Sequence, residues 1–353
     1  MKIRTLLIDS SYLLKRSFHG AKDVYTESFG HLGGLYSFLT TVRKMIKEHM
    51  INKVILVWDG EGGGIQRYRI DNAYKANRKT KEWHKRIEMT GAEIRRENAK
   101  KESILKQRLR IQEYAEELFL RQIEVDDVEA DDIIAAYCLN HNNKEEIYIY
   151  SNDRDFAQLL DLNITIIFPN LPQPVTKSNY MMYFNHHYSN ALVMKIICGD
   201  SADNVAGVGG IKEDGLVKYF PELKFKTFTV RELCGKADKI QQERIKNKKK
   251  PLKALGNLTS PEGVKRLRTN FSLVNLREPM LNEEAIGEME QLEMPLTSDG
   301  RGSKQLMVLM NEDDFMSVYG STFVNYVEPF YTVIMTEMGT LDKYKKKRKN
   351  NII

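Results

Sequence analysis

Cysteine is scarce in this chain: Cys138, Cys198 and Cys234 lie far apart and form no CxxC pair. That pattern suggests neither a disulfide framework nor a zinc site, and it fits a reducing cytoplasm best. No stretch approaches the roughly 18 consecutive apolar residues of a membrane span. The opening MKIRTLLIDSS has too short an apolar run for a signal peptide. A soluble cytoplasmic protein with no membrane partner is expected. The Gly62-Gly63-Gly64 run lacks the GK[ST] of a phosphate loop and reads as a hinge. His186-His187 has no further His or Cys at ligand spacing and is given no chemistry.

What the chain has in quantity is charge. It carries 54 Lys or Arg against 48 Asp or Glu over 353 residues, a net +6 that is unevenly distributed. The length predicts more than one structural unit.

Short apolar runs of strand type recur, and four of the five end in or lead to an acid. Ile3 to Ile8 ends in Asp9, and Lys53 to Trp58 ends in Asp59. Gln122 to Val125 leads into VEADDIIAAYCL, which opens a helix, and Ile147 to Tyr150 leads through Ser151 to Asp153 and Asp155. Asn163 to Phe168 supplies a fifth strand. Between the first two runs, Leu35, Phe38, Leu39, Val42 and Ile46 form one stripe of a helix over 34–50. Strands alternating with helices predict an α/β fold, a parallel central sheet flanked by helices. Ligands of such sheets bind outside the carboxyl ends of the strands. Turn preference places an aspartate after any one strand; it gives no reason for the same edge to be acidic each time.

In the helix opened by Val128, Glu129 and Asp132 are three apart and share a face, with Asp131 beside them. CGDSADNVAGVGG adds Asp200 and Asp203. Convergence of these groups costs about 4 kcal/mol for each like-charged pair at about 4 Å, at an effective dielectric near 20. The acidic motifs contain no lysine, so hard divalent cations, Mg²⁺ or Mn²⁺, are the expected compensation. Two such ions about 3.5 to 4 Å apart suit phosphoryl transfer.

The strings LLIDSS, VWDG, AYKANR, VEADDIIAAY, SNDRDFAQLL and GDSADNVAGVGGI occur in that order over residues 3–220. Together they resemble the 5′-nuclease or flap endonuclease superfamily, whose core is PIN-like. The compact NAYKANRKTKE segment is most similar to phage 5′-nucleases, including phage RNase H enzymes that remove primers. The resemblance implies that Asp9, Asp59, Glu129 and Asp131 surround one metal and Asp153, Asp155 and Asp203 hold the second, with Asp132 and Asp200 in the outer cluster. It makes AYKANR the entrance of a helical arch, where Lys75 reaches the scissile phosphate, Arg78 supports it and Tyr74 offers a ring for a base. The implied activity is a structure-selective 5′-3′ nuclease of replication or repair, acting on 5′ flaps, nicks or RNA:DNA duplexes.

Residues 61–110 hold 15 basic against 7 acidic residues, with no strong apolar stripe. This suits an arch, taken as about 61–115, that clamps single-stranded nucleic acid. NVAGVGGIKEDGLVKYF resembles the family's helix-turn-helix duplex grip, in which Gly207, Gly209 and Gly210 let backbone N–H groups approach a phosphate. A potassium ion accompanies this turn in the family. Lys212 stands where a glycine is common, so phosphate contact by Lys212 is the alternative. Residues 224–268, with 14 basic and 4 acidic side chains, extend the grip.

The expected organisation is a nuclease core over 1–185, a helical duplex-binding unit over 186–285 and a C-terminal extension over 286–353 with a basic tail. That tail, KYKKKRKNN, reads as a disordered charge run that could meet DNA, a single-strand-binding protein or another replication partner. Phe271, Leu273 and Val274 read as packing residues, and Asp313 and Asp314 as solvent-facing. Two other functions stay open: a DNA-binding scaffold without catalysis, and a PIN-type ribonuclease. The intact acidic set and Lys75 argue against the first, and the glycine-rich duplex grip against the second.

Overall fold

A computed structural model describes residues 2–298 and 300–350. Five apolar segments form one parallel sheet: β1 (Arg4–Asp9), β2 (Lys53–Asp59), β3 (Arg121–Val125), β4 (Glu146–Tyr150) and β5 (Thr165–Ile167). Their order across the sheet is β3-β2-β1-β4-β5, every neighbour parallel. The chain therefore winds outward from β1 in one direction and then returns to the other side at β4. The crevice between β1 and β4 is the topological switch point, where doubly wound sheets bind ligands.

Strand pleating divides the core in two. Leu6, Ile8, Leu56 and Trp58 face one cluster, which holds helix α1 (Ser10–Gly20) and the stripe of α2 (Gly33–His49). Leu7, Ile55, Val57 and Ile149 face the other. Both sides of the sheet are dry, which is why these strands read as continuous apolar runs.

Three helices fill the long β2-to-β3 connection: α3 (Ile65–Ile70), α4 (Ala76–Glu88) and α5 (Gly91–Glu117). No described residue of α4 is buried, whereas the second half of α5 packs Ile111, Tyr114 and Ala115 into the core. A reciprocal Thr90–Glu93 capping box starts α5.

The second cluster carries α6 (Ala130–His141) and a 3₁₀ helix at Arg154–Leu162. A separate apolar cluster then joins α7 (Ala191–Cys198), α8 (Glu213–Tyr219), α9 (Val230–Lys246), α10 (Lys253–Thr259) and α11 (Pro261–Val274). Leu273 and Val274 are buried as expected; Phe271 is 38% exposed, because it falls on the outer side of α11.

The C-terminal segment forms α12 (Glu283–Gln291), α13 (Ser303–Glu312), α14 (Phe315–Tyr319), α15 (Phe323–Val327) and α16 (Tyr331–Asn350). Leu306, Met310, Phe315, Tyr326, Phe330 and Val333 complete the α1–α2 side of the core. Asp313 corrects the sequence expectation. It is buried, accepts from the Tyr114 hydroxyl at 2.8 Å and lies 3.0 Å from the Arg110 guanidinium. Its partners stand some two hundred positions earlier in the chain, so local polarity gave no sign of them. Asp314 is exposed. The tail, expected to be disordered, continues α16 as helix to Asn350. At the sheet edge Arg121 pairs with Glu337 by two hydrogen bonds, at 3.0 and 2.5 Å, both side chains buried.

Breaking that pair strands a buried charge. Glu337→Ala is expected to lose about 3 kcal/mol or more in urea unfolding, and the double replacement Arg121→Met with Glu337→Leu to recover most of it.

Candidate active site

Each acidic residue reaches the sheet edge for a local reason. Asp9 ends β1 and caps α1, accepting from the Tyr12 N–H at 3.0 Å and the Ser151 hydroxyl at 3.1 Å. Asp59 ends β2; its N–H donates to Ser11 Oγ at 3.0 Å and its carboxylate accepts from the Ala130 N–H at 3.3 Å. Ser11 and Ser151 hold the crevice from both strands. Asp153 caps the 3₁₀ helix by accepting from the Asp155 N–H at 2.8 Å. Glu129 sits at the N-cap position of α6, with Asp131 and Asp132 in its first turn.

The field of these groups is shared. Burial, then the charges of Asp59 and Asp153, push the Asp9 carboxyl up to about 6. Asp131 is raised well above the ordinary range by burial and by Asp153, Asp9 and Glu129. Asp155 is raised by burial and Asp153. Burial also raises Asp203, against Lys75 and Arg78.

The acidic motifs contain no lysine, yet four protein cations reach the cluster from outside them. Arg67, on α3, donates to Glu129 at 2.8 Å and to both oxygens of Asp132 at 2.5 and 2.9 Å. Lys75 donates to Glu129. Arg78 donates to Asp203 at 2.6 Å. Lys195, on α7, bridges Asp155, at 2.6 Å, and Asp200. Despite burial, which disfavours the ammonium, Glu129 and Asp203 hold Lys75 above the usual lysine range, so it is charged. Lys195 is held up in the same way by Asp155, Asp153 and Asp200. Against the upward push of burial, Lys75 and Arg67 lower Glu129, and Lys195 lowers Asp200.

The nine sequence-predicted carboxylates therefore divide. Glu129, Asp155, Asp200 and Asp203 are each engaged by a protein cation. Asp132 is 1% exposed, with both oxygens occupied by Arg67 and one also accepting from the Met280 N–H at 3.0 Å. Its face is shared with Glu129, as the spacing predicts, but that face turns to Arg67. Asp9, Asp59, Asp131 and Asp153 have no ion pair within 4 Å among the described residues.

Other predicted residues shift role. Tyr74 is 5% exposed and its hydroxyl donates to Glu129 at 3.0 Å, so its ring is unavailable for stacking. Gly62, Gly63 and Gly64 act through close approach: a side chain on any of them would press on Asp127, Val128 or Glu129 within 2.4 to 3.3 Å. That contact seats α3 so that Arg67 can reach Glu129, which replaces the expected hinge. Lys75 has φ 52°, a left-handed conformation rare for lysine, and its N–H donates to the Asp203 carbonyl at 2.8 Å.

At the glycine-rich turn, Gly209 and Gly210 have φ 64° and 73°, which favours glycine. Gly207 is needed because a side chain there would collide with the Cys198 carbonyl. Lys212 is exposed and precedes α8, whose first turn carries Glu213 and Asp214. Those acids oppose an anion at the helix end, leaving glycine N–H groups and Lys212 as the donors. A cleft of about 750 Å³ runs from this turn to α11, lined by Gly207, Gly209, Asn257, Ser260, Lys265 and Arg266.

Among the described residues, no three His, Cys, Asp or Glu side chains form a ready-made metal cage. The cation-free set still fits a magnesium-like ion. Such an ion prefers oxygen donors, keeps several waters and takes one or two carboxylates together with substrate phosphates. No helix among the described residues is long and apolar enough to cross a membrane.

Residues 4–190 match the family described as 5′-3′ exonuclease, N-terminal resolvase-like domain. The chain is 28% identical over 309 residues to a 5′-3′ exonuclease of Mycoplasmopsis pulmonis, covering 83% of this chain and 95% of that one. It is 25% identical over 274 residues to the thermostable DNA polymerase I of Thermus caldophilus, covering 77% of this chain but only 30% of the polymerase. Among solved structures, the bacteriophage T5 5′-exonuclease with bound zinc superposes with a TM-score of 0.58 at 18% identity, covering 89% of this chain and 99% of that one. A T5 flap endonuclease in complex with DNA and metal ions gives 0.57 at 17% identity, covering 90% and 100%. The chain belongs to the 5′-3′ exonuclease family and has the nuclease fold of the T5 enzyme. It is an enzyme of the 5′-3′ nuclease class.

The two kinds of carboxylate separate by stability. In metal-free protein, Asp131→Asn is expected to raise stability by on the order of 1 kcal/mol, by relieving repulsion. Asp132→Asn should lower it, by leaving buried Arg67 underpaired. Thermal midpoints of both variants in EDTA check this.

Proposed function

We propose that this chain hydrolyses DNA phosphodiesters at 5′ flaps, nicks and the RNA primers of RNA:DNA duplexes during cytoplasmic replication or repair, with two Mg²⁺ or Mn²⁺ ions. The observation that carries the proposal is the four cation-free carboxylates, Asp9, Asp59, Asp131 and Asp153, beside the charged Lys75. They are the residues that would hold the ions, with Glu129, Asp155 and Asp203 next to them. Bound divalent ions would lower the pKa of a coordinated water and stabilise the leaving oxygen.

The chain's own residues supply the rest. Ser11 and Ser151 fix Asp59 and Asp9 at the ends of their strands. Lys75 and Arg78, now satisfied by Glu129 and Asp203, exchange those carboxylates for oxygens of the entering phosphate. Lys75 remains protonated, so it steadies negative charge and does not act as a base. Tyr74 and Arg67 hold Glu129 while Lys75 leaves it.

Duplex binding is assigned to the glycine-rich turn, the adjoining cleft and Lys212, with the basic residues of 224–268 beside them. We give the phosphate contact to Lys212 and no potassium ion a role. Contacts to phosphates supply affinity without sequence preference. By its sequence, the tail KYKKKRKNN is the segment proposed to meet DNA or a single-strand-binding or other replication protein.

Incubation with a 5′-flap duplex and Mg²⁺ should release the flap, and chelation by EDTA should stop the reaction. A flap that is bound but never cut would leave only the scaffold reading, and preferential cutting of RNA hairpins would favour a ribonuclease. Asp153→Asn is expected to abolish nearly all cleavage while duplex affinity stays largely intact, as gel shift and product release would show. Lys212→Ala should weaken duplex binding and reduce the slope of log affinity against log salt by about 1.

A further inference from the structure

We infer that Trp83 is a stacking platform for a base of the single strand leaving the active site; this rests on the nuclease reading and names the residue that positions its strand. The indole is 61% exposed, and Ile87, one turn further on, is 62% exposed. Two large apolar side chains thus share an uncovered face of a helix that buries nothing. Helix α4 holds five basic residues, Arg78, Lys79, Lys81, Lys85 and Arg86, against Glu82 and Glu88. Glu82 pairs with Lys101 of α5 at 2.7 Å and Lys85 with Glu97 of α5 at 3.9 Å.

An aromatic ring set among cations suits single-stranded nucleic acid. A peptide partner of acidic character would satisfy the charge, but the position of α4 favours the strand. Its first residues are planted in the acidic cluster, through Lys75 on Glu129 and Arg78 on Asp203. From Lys75 to Trp83 is eight residues, about 12 Å along the helix axis. That distance spans no more than about four nucleotides at the about 3.4 Å rise of a stacked strand, and fewer if the strand is extended. The His84 ring stands nearly perpendicular to the indole at 5.0 Å, and no ring lies parallel on Trp83 among the described residues. One indole face is therefore open to a base.

The chain has two tryptophans. Trp58 is 1% exposed and stacked on Phe38, so Trp83 alone can meet a ligand. Titration of the full chain with oligothymidylate in EDTA should quench tryptophan emission. The quench should vanish in Trp83→Ala, while the buried Trp58 signal stays. Trp83→Ala should raise the KM for a 5′-flap substrate about tenfold, and Trp83→Phe should restore it. Oligothymidylate that binds, by anisotropy, with unchanged emission would overturn the inference, as would a Trp83→Ala enzyme with wild-type KM. Quenching that requires an acidic peptide and not the oligonucleotide would overturn it too. A wild-type chain that is quenched by the strand yet cuts no flap would sink the nuclease reading and leave the stacking in place.

Discussion

Repulsion among carboxylates at the carboxyl edge of the sheet is the constraint around which the rest of the molecule is arranged. Asp9, Asp131, Asp155 and Asp203 each feel at least one other acid of the cluster, and burial adds to the penalty. The fold offsets only part of it. Arg67, Lys75, Arg78 and Lys195 pair with Glu129, Asp132, Asp155, Asp200 and Asp203, and Asp9, Asp59, Asp131 and Asp153 are left without an ion pair among the described residues. A site left in that condition is biased toward polyvalent cations, and it gives up stability to remain so.

The same constraint accounts for features remote from the crevice. Three glycines at 62–64 allow the Asp127–Glu129 turn to approach α3, and α3 brings Arg67 under Glu129 and Asp132. Helix α7 belongs to the apolar cluster it forms with α8 to α11, yet its Lys195 reaches back to Asp155 and Asp200. The α7–α11 cluster and the acidic sheet edge are thereby joined through charge. Lys75 and Arg78 occupy the intermediate position, resting on Glu129 and Asp203 at the foot of α4.

The C-terminal segment adds a different lesson about burial. Asp313, Arg110 and Tyr114 make a small buried polar network, and Arg121 with Glu337 makes another. Each joins residues roughly two hundred positions apart. They tie α13 to α16 onto the sheet side that α1 and α2 begin, so that this segment is part of the core it follows.

The strand runs, the stripe of α2 and the acids after four of the five strands were legible locally, because dry strands and amphipathic helices write their burial into short windows of sequence. Six ordered motifs likewise carried the family, as residues 4–190 bear out. What the linear chain could not disclose was which charge meets which. Arg67 and Lys195 sit in unremarkable helical stretches, Tyr74 and Asp313 look like surface polar groups, and Glu129 and Asp132 share one helical face. Only the packed chain decides that Asp132 answers Arg67 while Asp131 forms no ion pair among the described residues, since electrostatic partnership depends on distance in space and on access to water, neither of which a local pattern encodes.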